Sequence, residues 1–431
     1  MPRSLLACVV TLVVFAVVVA QRPTDGPLPP LPVADARPAF WKGNLHTHSL
    51  WSDGDDFPEM VADWYKRHGY QFLALTDHNV IADGEKWVDA ATTVVRKKAV
   101  EKYEARFGKA WVERRVEKDK PQVRLKPLRE FRSLLEEPGK FLFVPAEEVT
   151  TKFAKYPVHM NGINLRDAIK PVEAANVTET IRVNLKQAEE QAAKTGWPNV
   201  TFLNHPNFQW GVKAEEMIAA EELRYFEVFN GHSGVRNYGD ATHASCERIW
   251  DILLAVRLAK LKLPVVYGVA TDDSHAYHEF AVGKTNPGRG WVMVRAPHLT
   301  AEAVVRAMKA GDFYFSTGVT LDEIAKADGK LTLSIRAEPG VTYKTEFVAT
   351  MAGTPLDAEP ILDEKGQPLD VTRRYHADVG KVVAESTNAA PTYTFTGKEL
   401  YVRAKVTSSK PHPNPYQKGD TEVAWTQPVV P

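Results

Sequence analysis

A chain of 431 residues, 44% hydrophobic and 25% charged, has room for one large domain and a smaller one. Lys plus Arg and Asp plus Glu both total 54, and the formal net charge of zero excludes a broad electrostatic grip on nucleic acid or on an acidic membrane. Any capacity to bind anions has to be local, built from a few placed side chains or from metal ions.

In chain order, Met1-Pro2-Arg3-Ser4 is a short positive start, and Leu5 to Ala20 is an apolar run without charge. Val18-Val19-Ala20 supplies small residues at a cleavage point before Gln21. A signal peptide over 1–20 is therefore predicted, with a secreted or periplasmic location. The run is somewhat short of the roughly 20 residues that a span needs, so a retained anchor is the alternative, and the one membrane contact expected. Leu5-Leu6-Ala7-Cys8 looks like a lipoprotein box, but the apolar core follows it instead of preceding it. With Cys8 removed, Cys246 has no partner and reads as a buried structural thiol. Residues 21–38 carry six prolines and read as a stiff exposed leader.

Beyond the leader, apolar runs suited to buried parallel strands alternate with segments of helical period. Strand candidates end in Asn44-Leu45-His46, Phe72–Leu75, Phe141–Val144, Val200–Leu203, Phe226–Phe229 and Val265–Gly268, with helices near 58–69, 178–195 and 244–262. That alternation predicts an α/β domain over 39–320. Residues 84–138 are dense in Lys, Arg and Glu and read as a helical insertion, either with a solvated face or as a lid. After about 320, alternating runs such as Leu331–Ile335 and Tyr401–Val406 predict a small antiparallel β domain over 321–431. Its Tyr393, Tyr401 and Trp425 are candidates for carbohydrate or surface contact, with core packing as the plainer use.

Chemistry concentrates at the ends of the predicted strands. His46-Thr47-His48 places two imidazoles on one face, because side chains two apart on a strand point the same way. Asp53 follows on a tight Ser52-Asp53-Gly54 turn, then Asp77-His78, Glu147-Glu148, His159, His205 and Asp272-Asp273-Ser274-His275. One strand-end histidine or one Asp-His pair is usually structural. So many titratable groups at one edge, with no matching Lys or Arg, would be strongly destabilising unless bound cations compensate them. In parallel α/β barrels that edge is where active sites lie.

In combination, His46-Thr47-His48 with Ser52-Asp53-Gly54, Thr76-Asp77-His78, a strand-end Glu, Val158-His159, His205 and Asp273-Ser274-His275 resembles the polymerase and histidinol phosphatase (PHP) superfamily over roughly 40–318. The resemblance implies a distorted (β/α)7 barrel holding two or three divalent ions (zinc, manganese or iron), with phosphoester hydrolysis as the commonest activity. Carried over by position, the ligands are His46, His48, Asp53, His78, Glu148, His159, His205, Asp273 and His275. Glu148 is preferred to Glu147 because the family's glutamate precedes an apolar residue and then Ser or Thr. Asp273 is preferred to Asp272 by the Asp-x-His spacing, and Asp77 is expected to orient a ligand.

One ion takes about four to six donors, so this set suits more than one. Three ions against three carboxylates leave about +3, which a hydroxide and a dianionic phosphate monoester would neutralise. The expected function is an exported phosphoesterase in which a metal-activated hydroxide attacks a small anionic phosphoester in line. His232, in Asn230-Gly231-His232, is a candidate contact to substrate or leaving group. Lys284 and Arg289 are candidate anion contacts with surface charge as the default, and Ser316-Thr317-Gly318 is a candidate closing turn. A rival is hydrolysis of carbamates or carboxylic esters at the same ions, because Phe229-Asn230-Gly231, Trp250-Asp251 and the Gly268–His275 stretch resemble the secreted, carbaryl-hydrolase-like branch. A rival of another class is a binding protein that keeps the fold without activity, which would ordinarily have lost a ligand.

Overall fold

Gly43 shows how closely the first strand packs. The strand Ala39–Asn44 runs parallel to Phe72–Leu73 with Gly43 opposite Phe72, and a Cβ on Gly43 would come within 2.1 Å of the Phe72 ring. Phe72–Leu73 pairs in parallel with Leu142–Phe143 in turn. On its other side Ala39–Asn44 pairs antiparallel with Trp291–Ala296, the start of a longer antiparallel run through Phe313–Ser316, Thr421–Thr426, Glu399–Pro411, Tyr343–Met351 and Lys381–Ser386. The result is a nine-stranded sheet. A second sheet has five strands: Tyr267–Thr271, Tyr225–Asn230 and Val200–Leu203 in parallel, then Tyr156–Ile163 and Ala146–Phe153 antiparallel. The structure is a computed structural model and describes residues 38–431. The expected signal peptide, Cys8 and the 21–37 part of the leader lie outside the described residues.

The architecture is mixed α/β, and among the described residues the strand ladders form separate sheets and not the one closed ladder of a barrel. The two sheets meet through two single bridges, Thr47 with Ser274 just past the ends of parallel strands, and His78 with Glu148 near the start of Ala146–Phe153. The helices expected near 58–69, 178–195 and 244–262 are Pro58–Arg67, Val177–Thr195 and Cys246–Val256, the last continued by a π-helical Arg257–Leu261. Their ends carry the local chemistry that stops and starts helices: Asn176 and Ser245 accept amide hydrogens at the N-caps, and Gly196 closes Val177–Thr195 at φ 70°. Cys246 is buried, and burial pushes its thiol pKa up, as a structural cysteine requires. No helix among the described residues is long and apolar enough to cross a membrane.

The 84–138 segment is not helical throughout. Helices Val94–Phe107 and Leu128–Leu135 flank a three-stranded antiparallel sheet, Lys86–Asp89, Lys120–Leu125 and Arg114–Glu117. The hairpin turns through Lys118 and Asp119, both at positive φ (51° and 58°), which is the two-residue turn whose twist matches paired strands. Val94–Phe107 is fastened to Pro58–Arg67 and the loop before it. Lys102 pairs with Asp56, Tyr103 Oη donates to Glu59 at 2.6 Å, and Arg106 forms a bidentate pair with Asp63 at 2.8 and 3.0 Å. The Phe57 and Tyr103 rings stack at 4.2 Å above a core with Leu50, Trp51 and Val100. The insertion is thus a buttress packed on the 50–60 loop.

Most strands beyond 320 extend the nine-stranded sheet, while Leu321–Ala327, Lys330–Ile335 and Thr392–Thr394 form a small antiparallel sheet of their own. Trp425 stacks on Phe315 at 5.2 Å. Tyr393, Tyr401 and Trp425 are all buried, so the carbohydrate reading of these rings gives way to core packing. A buried ion pair ties these strands to Cys246–Val256, with Arg403 donating to both Asp251 oxygens at 2.8 Å and Tyr401 Oη to one of them. Replacing Arg403 by Met leaves Asp251 buried without a counter-charge. It is expected to lower unfolding stability by about 3–5 kcal/mol in a denaturant titration.

A second expected outcome concerns pH. Burial raises the Glu59 carboxyl from 4.5 to about 7 despite its bond from Tyr103. Its folded pKa lies above the unfolded one, so its contribution is complete below pH 4.5 and is lost as pH rises through 7. Unfolding free energy measured across about pH 5 to 8 should therefore fall less in Glu59→Gln than in the parent, by up to about 3 kcal/mol.

Candidate metal centre

The segment after the first strand is clamped from both sides. The His48 amide donates to Ser274 O at 3.0 Å, the Asp273 amide to His46 O at 2.9 Å, and the Thr47 amide to Thr76 Oγ1 at 2.8 Å. His46 and His48, two apart, turn their rings to one side. The turn that follows folds back because Gly54 lacks a side chain: a Cβ there would lie 2.6 Å from His48 O. That return carries Asp53 to the histidines.

His46 and His48 present their Nε2 atoms inward. His46 Nδ1 donates to Glu227 Oε1 at 2.7 Å. His48 Nδ1 lies 3.2 Å from Ser52 Oγ, whose hydroxyl donates to Asp77 at 2.6 Å. Asp77 therefore orients a histidine through a serine, and it also accepts from Ser49. Both Nε2 atoms, together with Glu148 Oε2, are buried without any hydrogen-bond partner. They face carboxylate oxygens: His46 Nε2 is 3.5 Å from Glu148 Oε2 and 3.3 Å from Asp273 Oδ1, and His48 Nε2 is 3.4 and 3.2 Å from the same atoms. Imidazole lone pairs turned toward carboxylate lone pairs repel unless a cation lies between them. Donors about 2.1 Å from one tetrahedral ion are themselves about 3.4 Å apart. The donor set and its spacing fit divalent metal.

Glu148 reaches further groups with its other oxygen. Oε1 accepts from Asn204 at 2.8 Å and lies 3.1 Å from His159 Nδ1 and 3.4 Å from His205 Nε2. Toward solvent, Asp53 lies 3.3 Å from His275 Nε2 and 3.5 Å from His78 Nε2. Three overlapping groups could each hold an ion: His46, Glu148 and His205; His46, His48 and Asp273; and His48, Asp53, His78 and His275. The nine residues that the sequence singles out as ligands gather into this one cluster. Their neighbours do not join it: Glu147 accepts the Ile169 amide, and Asp272 is enclosed by Tyr65 Oη and the amides of Gly288, Arg289 and Gly290.

Electrostatics follow the geometry. Burial alone would push Glu148 and Asp273 up, but the imidazoles, His46 first, hold both well below the usual carboxylate range. Burial and the neighbouring His275 hold His48 down to about 3, leaving it a neutral donor. Two members are held in left-handed backbone, His205 at φ 23° and Asp273 at φ 48°. Each costs about 1–3 kcal/mol, which the bond from the His205 amide to Glu227 and the Asp273–His46 backbone bond help to hold.

Glu227 is the residue that the strand-end reading passes over. Wholly buried in Tyr225–Asn230, it accepts from His46 Nδ1, Thr271 Oγ1, the His205 amide and Asn230 Nδ2 at 2.7–2.8 Å. Asn230 also donates to Asp273 at 3.0 Å. The signal in the sequence is a glutamate inside an otherwise apolar strand. His232 lies beside the cluster, its ring 5.3 Å from His275 and 5.7 Å from Phe208. Arg289, Lys284 and the 316–318 turn stand apart from it. Arg289 spends its guanidinium on carbonyls including Gly231 O and Ala281 O, Lys284 pairs with Glu279, and Ser316 Oγ caps Val319 O.

No protein-family model and no curated protein matches the chain. Solved structures do. A two-domain Bacteroides vulgatus protein containing a predicted PHP-like metal-dependent phosphoesterase is 16% identical, covering 95% of this chain and 100% of that one at a TM-score of 0.39. PsfC from Pseudomonas syringae is 11% identical over 63% of this chain and 88% of that one, at 0.31. An amidohydrolase from Chromobacterium violaceum is 14% identical over 55% and 88%, at 0.28. None reaches a TM-score of 0.5, and the chemistry of the site rests on its own geometry.

The centre predicts its own titration. Zinc or manganese at a hundred times its dissociation constant should stabilise chelator-stripped protein by about 2.7 kcal/mol. Glu148→Gln should lose most of that gain when thermal unfolding is followed with and without metal.

Proposed function

We propose that this chain is an exported metal-dependent hydrolase of the PHP type that cleaves phosphoesters of small molecules. The observation that carries the reading is the convergence of three unpartnered buried atoms, His46 Nε2, His48 Nε2 and Glu148 Oε2, at ligand-to-ligand spacing. Two or three divalent ions held there supply Lewis acidity toward a phosphoryl oxygen and lower the pKa of water. Export is proposed from the apolar run Leu5 to Ala20.

The chain's own residues do the rest. Glu227 and the Ser52–Asp77 pair fix which nitrogens of His46 and His48 face inward. Asp53 and His78 form the open side, with 56% and 27% of their side-chain surface exposed, so substrate enters there. His232 Nδ1 accepts the Gly234 amide at 2.9 Å, which leaves the hydrogen of the neutral ring on Nε2. That Nε2–H, on a ring 5.3 Å from that of His275, is a donor suited to hold a substrate or leaving-group oxygen.

The second reading, hydrolysis of carbamates or carboxylic esters, has its own support. Arg289 and Lys284 are engaged elsewhere, so neither supplies a cationic clamp for phosphate, and Phe208 offers an aromatic edge to His205 at 5.1 Å and to His232. Initial rates of the metal-loaded protein on an aryl phosphate monoester, an aryl phosphodiester and a naphthyl carbamate separate the two. Phosphate release that His46→Ala abolishes, and that His232→Gln lowers about 10- to 100-fold with metal content unchanged, is the expected result. Preference for the carbamate transfers the centre to the second reading. Full turnover by His46→Ala with its metal intact refutes both.

A further inference from the structure

The donors of the centre are not held alike. His46, Glu148, Asp273 and His205 expose 0–6% of their side chains. Each is fixed by groups whose own bonds are complete: Glu227 holds His46 Nδ1 and the His205 amide, Asn204 holds Glu148 Oε1, and Asn230 holds Asp273 Oδ2. The partner behind His46 is a buried carboxylate, which makes the ring more basic and adds negative charge behind it. Asp53, His78 and His275 differ. Asp53 is 56% exposed, and among the described residues no amide or hydroxyl donates to it. His78 Nδ1 meets Thr150 Oγ1 and lies 2.8 Å from Glu148 Oε2, a carboxylate already shared with the inner donors, and His275 Nδ1 meets the carbonyl of Asp273, so neither ring has a carboxylate of its own behind it.

Affinity for a cation rises with the number of donors fixed in place beforehand, with exclusion of water, and with negative charge close behind the donors. All three favour the inner group. We infer that the centre is graded: an inner position built on His46, Glu148, Asp273 and His205 and backed by Glu227 keeps its ion permanently, while the outer position, where Asp53, His78 and His275 join the buried His48, holds an exchangeable one. The inner ion then belongs to the folded structure, because it joins donors carried on strands of both sheets. The outer ion faces the mouth where substrate enters. Glu227 acts through His46 and His205 as a positioning residue for the inner ion. This rests on the metal-dependent reading of the site but not on the substrate.

The test is a chelator titration of the zinc-loaded, full-length protein, counting bound ions by plasma mass spectrometry beside the thermal midpoint and aryl phosphate turnover. Ions are expected to leave in two stages separated by at least tenfold in free dipicolinate, the midpoint dropping only with the second. Asp53→Asn should remove the first stage and leave the second where it was. Glu227→Gln should shift the second stage by ten- to hundredfold while the first stays in place. Loss of all ions in one stage overturns the inference, as does a first stage that survives Asp53→Asn or that moves in Glu227→Gln. Two stages in a protein with no turnover on phosphate or carbamate leave the graded centre standing and refute the hydrolase. A protein that takes up no divalent ion refutes both.

Discussion

Glu148 is a buried carboxylate asked to face several imidazoles at once. His46 and His48 turn bare nitrogen lone pairs toward Oε2, while His159 and His205 crowd Oε1. In a low-dielectric interior such an arrangement is tolerable only with cations between the groups or with protons on the rings. The fold is arranged around that point. The two sheets share no ladder and are bridged at His78–Glu148 and Thr47–Ser274, which are members of the cluster or their immediate neighbours. The seam of the molecule and its chemistry therefore coincide. Whatever neutralises the cluster also holds the seam closed.

Much of the cluster is readable before any coordinates. Side chains two apart on an extended strand share a face, so His46 with His48 and Asp273 with His275 announce themselves. The same alternation separates the adjacent acids. Glu148 faces the histidines while Glu147 turns to the Ile169 amide, and Asp273 faces them while Asp272 turns to the Gly288–Gly290 loop. Glu227 escapes that pattern, because it lies within a strand and not at its end. Three of its four partners, the His205 amide, Thr271 and His46, lie 22, 44 and 181 residues away, distances that local pattern does not span.

The other differences have the same origin. Charge density over 84–138 suggests solvated helices, yet half-buried Lys86–Asp89 pairs with partly buried Lys120–Leu125, which the turn at Lys118 and Asp119 joins to Arg114–Glu117. Alternation beyond 320 gives the type of those strands but not their neighbours, since pairing is set by non-local register. Thr421–Thr426 pairs with Phe313–Ser316 and so continues the sheet of the α/β part. The buried Arg403–Asp251 pair adds a second tie across the same junction.

Glu227 also changes the charge arithmetic on which the substrate depends. Three ligand carboxylates, Asp53, Glu148 and Asp273, leave about +3 on three divalent ions, but Glu227 lies in direct contact with His46 and brings the count to four. With the imidazoles neutral, three ions then leave about +2 and two ions leave about zero. A site at +2 balances a dianionic phosphate monoester before the attacking hydroxide is counted and a monoanionic phosphodiester once it is, in either case without any arginine or lysine, consistent with the engagement of Arg289 and Lys284 elsewhere. A site near zero has no excess charge for a dianion and suits a neutral ester or carbamate, whose carbonyl needs polarisation alone. The choice between the two proposed substrates therefore becomes a question of how many ions the centre carries at working concentration. Asp53, the most exposed of its carboxylates, is the residue on which that number turns.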